Sequence, residues 1–189
     1  MYNSMGYTMP SSTAHRLSNV MRSLWTKHVW QDREATLSIV DGLSTKQSTV
    51  NWALQTPGII ANEYRSFYDQ TICNKIENLL TNHIKIAGDV ITYAATGDGY
   101  NLEMAKQKWY ANANSFSAYM GSLNPYTPAN QVGQMMTNHL NMLSAMTTDI
   151  INGNFDQGIK VFDQVITGAE QMGDFFAKGL VEQFPNRFI

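Results

Sequence analysis

Three of the four histidines in the chain recur at nearly equal intervals. They are His28, His83 and His139, separated by 55 and 56 residues. Neutral imidazole binds zinc, copper, iron and nickel, so three imidazoles that meet at one point would form a transition-metal site. The spacing therefore makes these residues candidate metal ligands, with zinc or copper as the candidate ion.

Similar residues surround each of these histidines. Two apolar residues, a threonine and a lysine or asparagine come before it, and valine, isoleucine or leucine follows. Turn signals come 13 or 14 residues later, at 41–42, 97–99 and 152–154. We interpret this recurrence as three tandem helical hairpins of about 55 residues each.

Each histidine also lies in an apolar stripe of helical periodicity. Around His83 the stripe includes Leu79, Leu80, Ala87 and Val90. A histidine on a core-facing stripe is usually a hydrogen-bonded structural residue, and duplication would repeat such a residue as well as a ligand. The sequence alone therefore favours a structural role for the three rings, with the metal site as the alternative.

The pattern of helix signals predicts an all-α fold. We expect a tail over residues 1–12 and one domain over 13–189, a six-helix bundle built from the three hairpins. The second helix should cover about 45–68 with an interruption at Pro57-Gly58, because proline breaks helices. Asn101 is expected to cap the fourth helix.

A second candidate site is a row of sulfur side chains beside one of the histidines. Met135, His139, Met142 and Met146 follow the spacing i, i+4, i+7 and i+11, which places them on one helix face. Thioether sulfur beside imidazole suits Cu(I), and a His/Met pair can ligate haem iron. Methionine is also common in cores, so packing is the simpler interpretation.

Carboxylates give less support for a metal centre. Asp32 follows His28 at i+4, so it could orient that ring or share a metal. The corresponding positions after the other two histidines are Ala87 and Leu143. A ferritin-like di-iron centre needs Glu-x-x-His pairs, and the sequence has none.

A third set of residues could form a pocket for a small ligand. Its members are Arg33, Asn62, Trp109 and Asn112, which are polar or amphipathic and fall on the first, second and fourth predicted helices. An interhelical hydrogen-bond network anchored by tryptophan is the simpler interpretation.

Composition narrows the functional classes. Hydrophobic residues make up 43% and charged residues 15% of the chain, which is typical of a folded domain rather than a disordered one. The net charge of −2 argues against nucleic-acid binding. Cys73 is the only cysteine, and no secretory signal, membrane span or catalytic motif is apparent. We expect a cytoplasmic protein and leave homo-oligomerisation open.

Three segments of the chain form a recognisable set: Leu24-Trp25-x-x-His28-Val29, Trp109-Tyr110-Ala111-Asn112-Ala113 and Gln183-Phe184-Pro185. They resemble an uncharacterised family of small helical proteins from spore-forming Gram-positive bacteria. The resemblance implies that the three histidines, Arg33, Asn62, Trp109 and Asn112 belong to a shared pattern. Some members are labelled acetylglutamate kinase or glycosyltransferase, but this sequence has no phosphate-binding glycine loop. The family brings no known activity.

The sequence therefore predicts a non-enzymatic structural or interaction bundle with three buried histidines. The alternatives are a metal-binding bundle that uses all three, and a bundle that binds a small ligand.

Overall fold

The computed structural model describes residues 12–189, and over that range the chain is helical without any strand. The α-helices are α1 Ser12–Val40, α2 Lys46–Ala53, α3 Thr56–Glu63, α4 Gln70–Thr96, α5 Gly99–Leu123, α6 Ala129–Ile151 and α7 Phe155–Gln183. Two 3-10 turns, Tyr64–Ser66 and Pro185–Arg187, follow α3 and α7. The predicted tail, residues 1–12, lies outside the described residues except for Ser12, where α1 begins.

The prediction of an all-α bundle is confirmed. The second predicted helix is divided into α2 and α3, and the break falls before Pro57 rather than at it. A proline ring in a helix clashes with the carbonyl four residues earlier, which here belongs to Ala53, the last residue of α2. Pro57 itself lies in the first turn of α3, where proline is tolerated.

Aspartates cap the helices of the second pair. The Asp69 side chain accepts a hydrogen bond from the Ile72 N–H at 3.0 Å at the start of α4. Asp98 does the same for Asn101 at the start of α5, at 3.1 Å. The prediction that Asn101 caps this helix was wrong, because Gly97 ends α4 with a φ of 72° and the next helix begins directly after Asp98.

Neighbouring helices close the bundle around a single core. α1 packs along α7, α4 along α5, and α6 along both α5 and α7. At Gly173 a Cβ would lie 2.6 Å from the Arg22 Cα, so the close approach of α7 to α1 requires glycine. Whether the three hairpins are copies of one ancestral unit stays a prediction. None of the helices described here is long and apolar enough to cross a membrane.

The cap of α4 provides a first testable expectation. Asp69→Ala should lower the free energy of unfolding by about 1 kcal/mol, because the Ile72 N–H loses its acceptor. Asp69→Asn keeps a side-chain oxygen at the same place and should retain most of the stability. Urea unfolding of the two variants measures the difference, and equal losses would show that the capping bond contributes nothing.

Candidate metal centre

Three helices bring the repeated histidines together in the core. His28 lies on α1, His83 on α4 and His139 on α6, and their relative exposures are 5%, 3% and 4%. The ring centroid of His28 lies 6.2 Å from that of His83 and 5.7 Å from that of His139. The third side of the triangle, from His83 to His139, measures 5.8 Å. The sequence could not show this convergence, because it depends on how α1, α4 and α6 pack.

The three rings can present one nitrogen each to a common point. One ligand atom from each histidine lies within 4.8 Å of the other two. Three atoms this close have a common point at most about 2.8 Å from each of them, whereas zinc–nitrogen bonds are about 2.0–2.1 Å long. A shift of less than about 1 Å per nitrogen therefore brings all three to bonding distance from one zinc ion. We call these three residues the histidine triad.

Much of the hydrogen-bonding capacity of the triad is unused. Both ring nitrogens of His83 and Nε2 of His139 are buried and have no hydrogen-bond partner among residues 12–189. Buried polar atoms are nearly always partnered, and leaving one without a partner costs about 1–3 kcal/mol. A purely structural histidine would be expected to make such a bond, whereas within residues 12–189 Asn112 is near enough to influence His83 but forms no well-aligned hydrogen bond with it.

Burial also holds the rings in the form that binds metal. Desolvation, reinforced by electrostatic repulsion from His28, lowers the pKa of His83 to about 3, and the Asn112 side chain opposes the shift. The pKa of His139 falls well below its ordinary value for the same two reasons, with a further contribution from His83. Both rings are therefore neutral at pH 7, and metal binding there needs no proton to be removed from them.

A buried carboxylate lies beside the triad. Asp32 Oδ2 is 3.3 Å from His28 Nε2, one helical turn along α1, and this oxygen is buried without a hydrogen-bond partner in residues 12–189. Burial raises the pKa of Asp32, while the electrostatic interaction with His28 opposes the shift. A carboxylate next to a metal-binding imidazole orients the ring and increases its basicity. The i+4 spacing noted in the sequence thus corresponds to a real side-chain contact.

Two of the four predicted ligand-binding residues lie at the triad. The Trp109 ring is 5.4 Å from that of His83, and the Asn112 side chain donates to the Leu79 carbonyl at 3.1 Å. Asn112 Oδ1 is buried and, within residues 12–189, has no hydrogen-bond partner. Trp109 and Asn112 therefore form the surroundings of His83 on α4 and α5.

The other two lie elsewhere. The Arg33 guanidinium is 5.3 Å from the centre of the Phe162 ring on α7 and 3.7 Å from the Glu34 carboxylate. Asn62 is exposed on α3. The structure does not gather Arg33 and Asn62 into a pocket with Trp109 and Asn112.

The methionine row on α6 is divided by the packing. Met135 and Met142 line a groove of about 600 Å³ between α6 and α7, together with His139. Met146 is fully buried in the core instead. Met172 of α7 completes the groove, and sequence analysis missed it because nothing in the local pattern shows which face of α7 meets α6.

Comparisons of the chain with protein-family models, with curated proteins and with solved structures found no match. The family resemblance inferred from the sequence stays a prediction.

Proposed function

We propose that the protein is a transition-metal-binding helical bundle in which His28, His83 and His139 supply three ligands to one divalent ion. The observation that carries the proposal is the meeting of three buried imidazoles, from three helices, with ligand atoms within 4.8 Å of one another. Zinc is the reference ion, because three histidines are a common protein contribution to its coordination.

The polar atoms of the triad support this function better than a structural role. A divalent ion would bind one of the two buried His83 nitrogens and one His139 nitrogen, so it would partner part of the triad that otherwise has no partner in residues 12–189. The Asp32 carboxylate would offset part of the ion's positive charge inside the core. Trp109 and the buried amide of Asn112 would limit the movement of the His83 ring.

Stoichiometric metal binding tests the proposal. Untagged protein should bind about one zinc ion per chain, and cobalt(II) should produce visible d–d absorption typical of low coordination number. His28→Leu, His83→Leu and His139→Leu should each abolish binding at one equivalent. His15→Leu is the matched control, because His15 lies on α1 as well but is exposed.

Zinc should also stabilise the fold. At a free concentration 100 times its Kd, it adds about 2.7 kcal/mol to the free energy of unfolding. For a domain of this size that raises Tm by roughly 5–10 °C. A chelator should reverse the shift in the wild type and in His15→Leu. A metal-free protein whose melting ignores both zinc and chelator would instead support the structural or interaction bundle.

A further inference from the structure

The groove between α6 and α7 is lined by methionine side chains together with polar ones. Met135, His139 and Met142 line it from α6, and Asp163, Gly168 and Met172 line it from α7. Met135 and Met142 are half-buried and Met172 is buried, so the sulfur side chains are sheltered but border an open volume of about 600 Å³. His139 belongs to this groove as well as to the histidine triad.

Methionines from both helices line the groove. Met135, His139 and Met142 share one face of α6 because they are spaced at i, i+4 and i+7. The Met142 methyl group lies 3.3 Å from where a Cβ of Gly168 would be, so this side chain reaches α7. Met172 lies one turn after Gly168 on the same face of α7. The missing side chain at Gly168 leaves space for thioethers from both helices.

The lining of the groove favours a soft cation. Thioether sulfur is a weak ligand for zinc and hard ions but a good one for Cu(I), and imidazole also binds copper. Asp163 adds a negative charge, and no Lys or Arg from the described range, residues 12–189, lines the groove. An anion would find amide and hydroxyl donors there but no positively charged Lys or Arg side chain from residues 12–189.

We propose that this groove is a Cu(I)-binding site in which Met135, Met142 and Met172 offer thioether ligands and His139 a nitrogen ligand. Binding is ligand exchange on Cu(I), which keeps its oxidation state. The inference rests on the proposed function only through the shared residue His139, because its sulfur ligands lie outside the triad.

Competition under anaerobic conditions against a chromophoric Cu(I) chelator tests the site. The variant Met135→Leu/Met142→Leu/Met172→Leu keeps the apolar volume and removes the sulfurs. Its Cu(I) affinity should fall by at least about tenfold, since even second-shell changes at metal sites cost that much. Its zinc stoichiometry should stay that of the wild type. Met104→Leu, on the exposed face of α5, is the matched control and should change neither value.

X-ray absorption of the Cu(I)-loaded wild type gives a readout that needs no variant. Sulfur scattering in the first coordination shell is expected, and a shell of nitrogen and oxygen alone would overturn the groove site. Unchanged Cu(I) affinity in the triple variant would overturn it too. Wild-type protein that binds zinc through the triad but ignores Cu(I) would refute the groove and leave the proposed function standing. Sulfur-bound copper, together with zinc binding that the three histidine variants do not change, would support the groove site and refute the proposed function.

Discussion

Lowering the pH from 7 to 4.5 should destabilise the metal-free protein by about 2.5 kcal/mol through His83 alone. The pKa of this ring is about 3 in the folded protein and 6.5 when unfolded. Below pH 6.5 His83 is protonated in the unfolded chain but stays neutral in the folded chain. Its contribution to stability is therefore fully present above pH 6.5 and is lost as the pH falls towards 3. His139 acts in the same direction, because its pKa is also lowered.

Asp32 contributes with the opposite sign. Its folded pKa is raised above 3.8, so its charge destabilises the fold at neutral pH and protonation relieves that cost as the pH falls. Urea unfolding in chelator at several pH values between 7 and 4.5 measures the sum. His83→Leu should flatten the curve and His15→Leu should leave it unchanged. The same pH dependence in the wild type and in His83→Leu would show that His83 is hydrated or hydrogen-bonded in solution.

The sequence predicted those parts of the structure that depend on local patterns. The apolar stripes around His83 and His139 indicated helices with buried histidines, and α4 and α6 bear this out. The turn at Asp41-Gly42 and the interruption near Pro57 follow from local backbone chemistry. α1 ends at Val40, just before that turn, and α3 begins at Thr56, just before the proline. Even the error at Asn101 is local, because Asp98 offers an equally good cap three residues earlier.

The site itself was predictable only in part. Equal spacing made the three histidines candidates, but whether they meet depends on how α1, α4 and α6 cross. The four candidate ligand-binding residues do not recur at a fixed spacing, so the sequence does not indicate whether they meet. Arg33 contacts Phe162 on α7 instead of the other candidates. Met172 was missed because it contributes to the groove from α7, far along the chain from Met142. Patterns with a period are visible in sequence, whereas contacts between distant helices are not.

The combined variant His83→Leu/His139→Leu should be more stable than the wild type when no metal is present. Three buried nitrogens with no partner in residues 12–189 are removed, and at the lower figure of about 1 kcal/mol each the gain is about 3 kcal/mol. Leucine is similar in size to histidine and suits the apolar core that includes Leu80 and Leu140. Urea unfolding at pH 7.5 in chelator measures the change, and His15→Leu should stay within about 0.5 kcal/mol of the wild type.

Zinc should reverse that order. Zinc stabilises only the wild type. As the zinc concentration rises, the free energy of unfolding of the wild type increases and that of the double variant stays constant. Residues that cost stability without their ligand and contribute it with the ligand are kept for binding, because packing alone would favour leucine at both positions. Loss of stability in the metal-free double variant would mean that the two rings are satisfied in solution, and the structural role would then be the correct one.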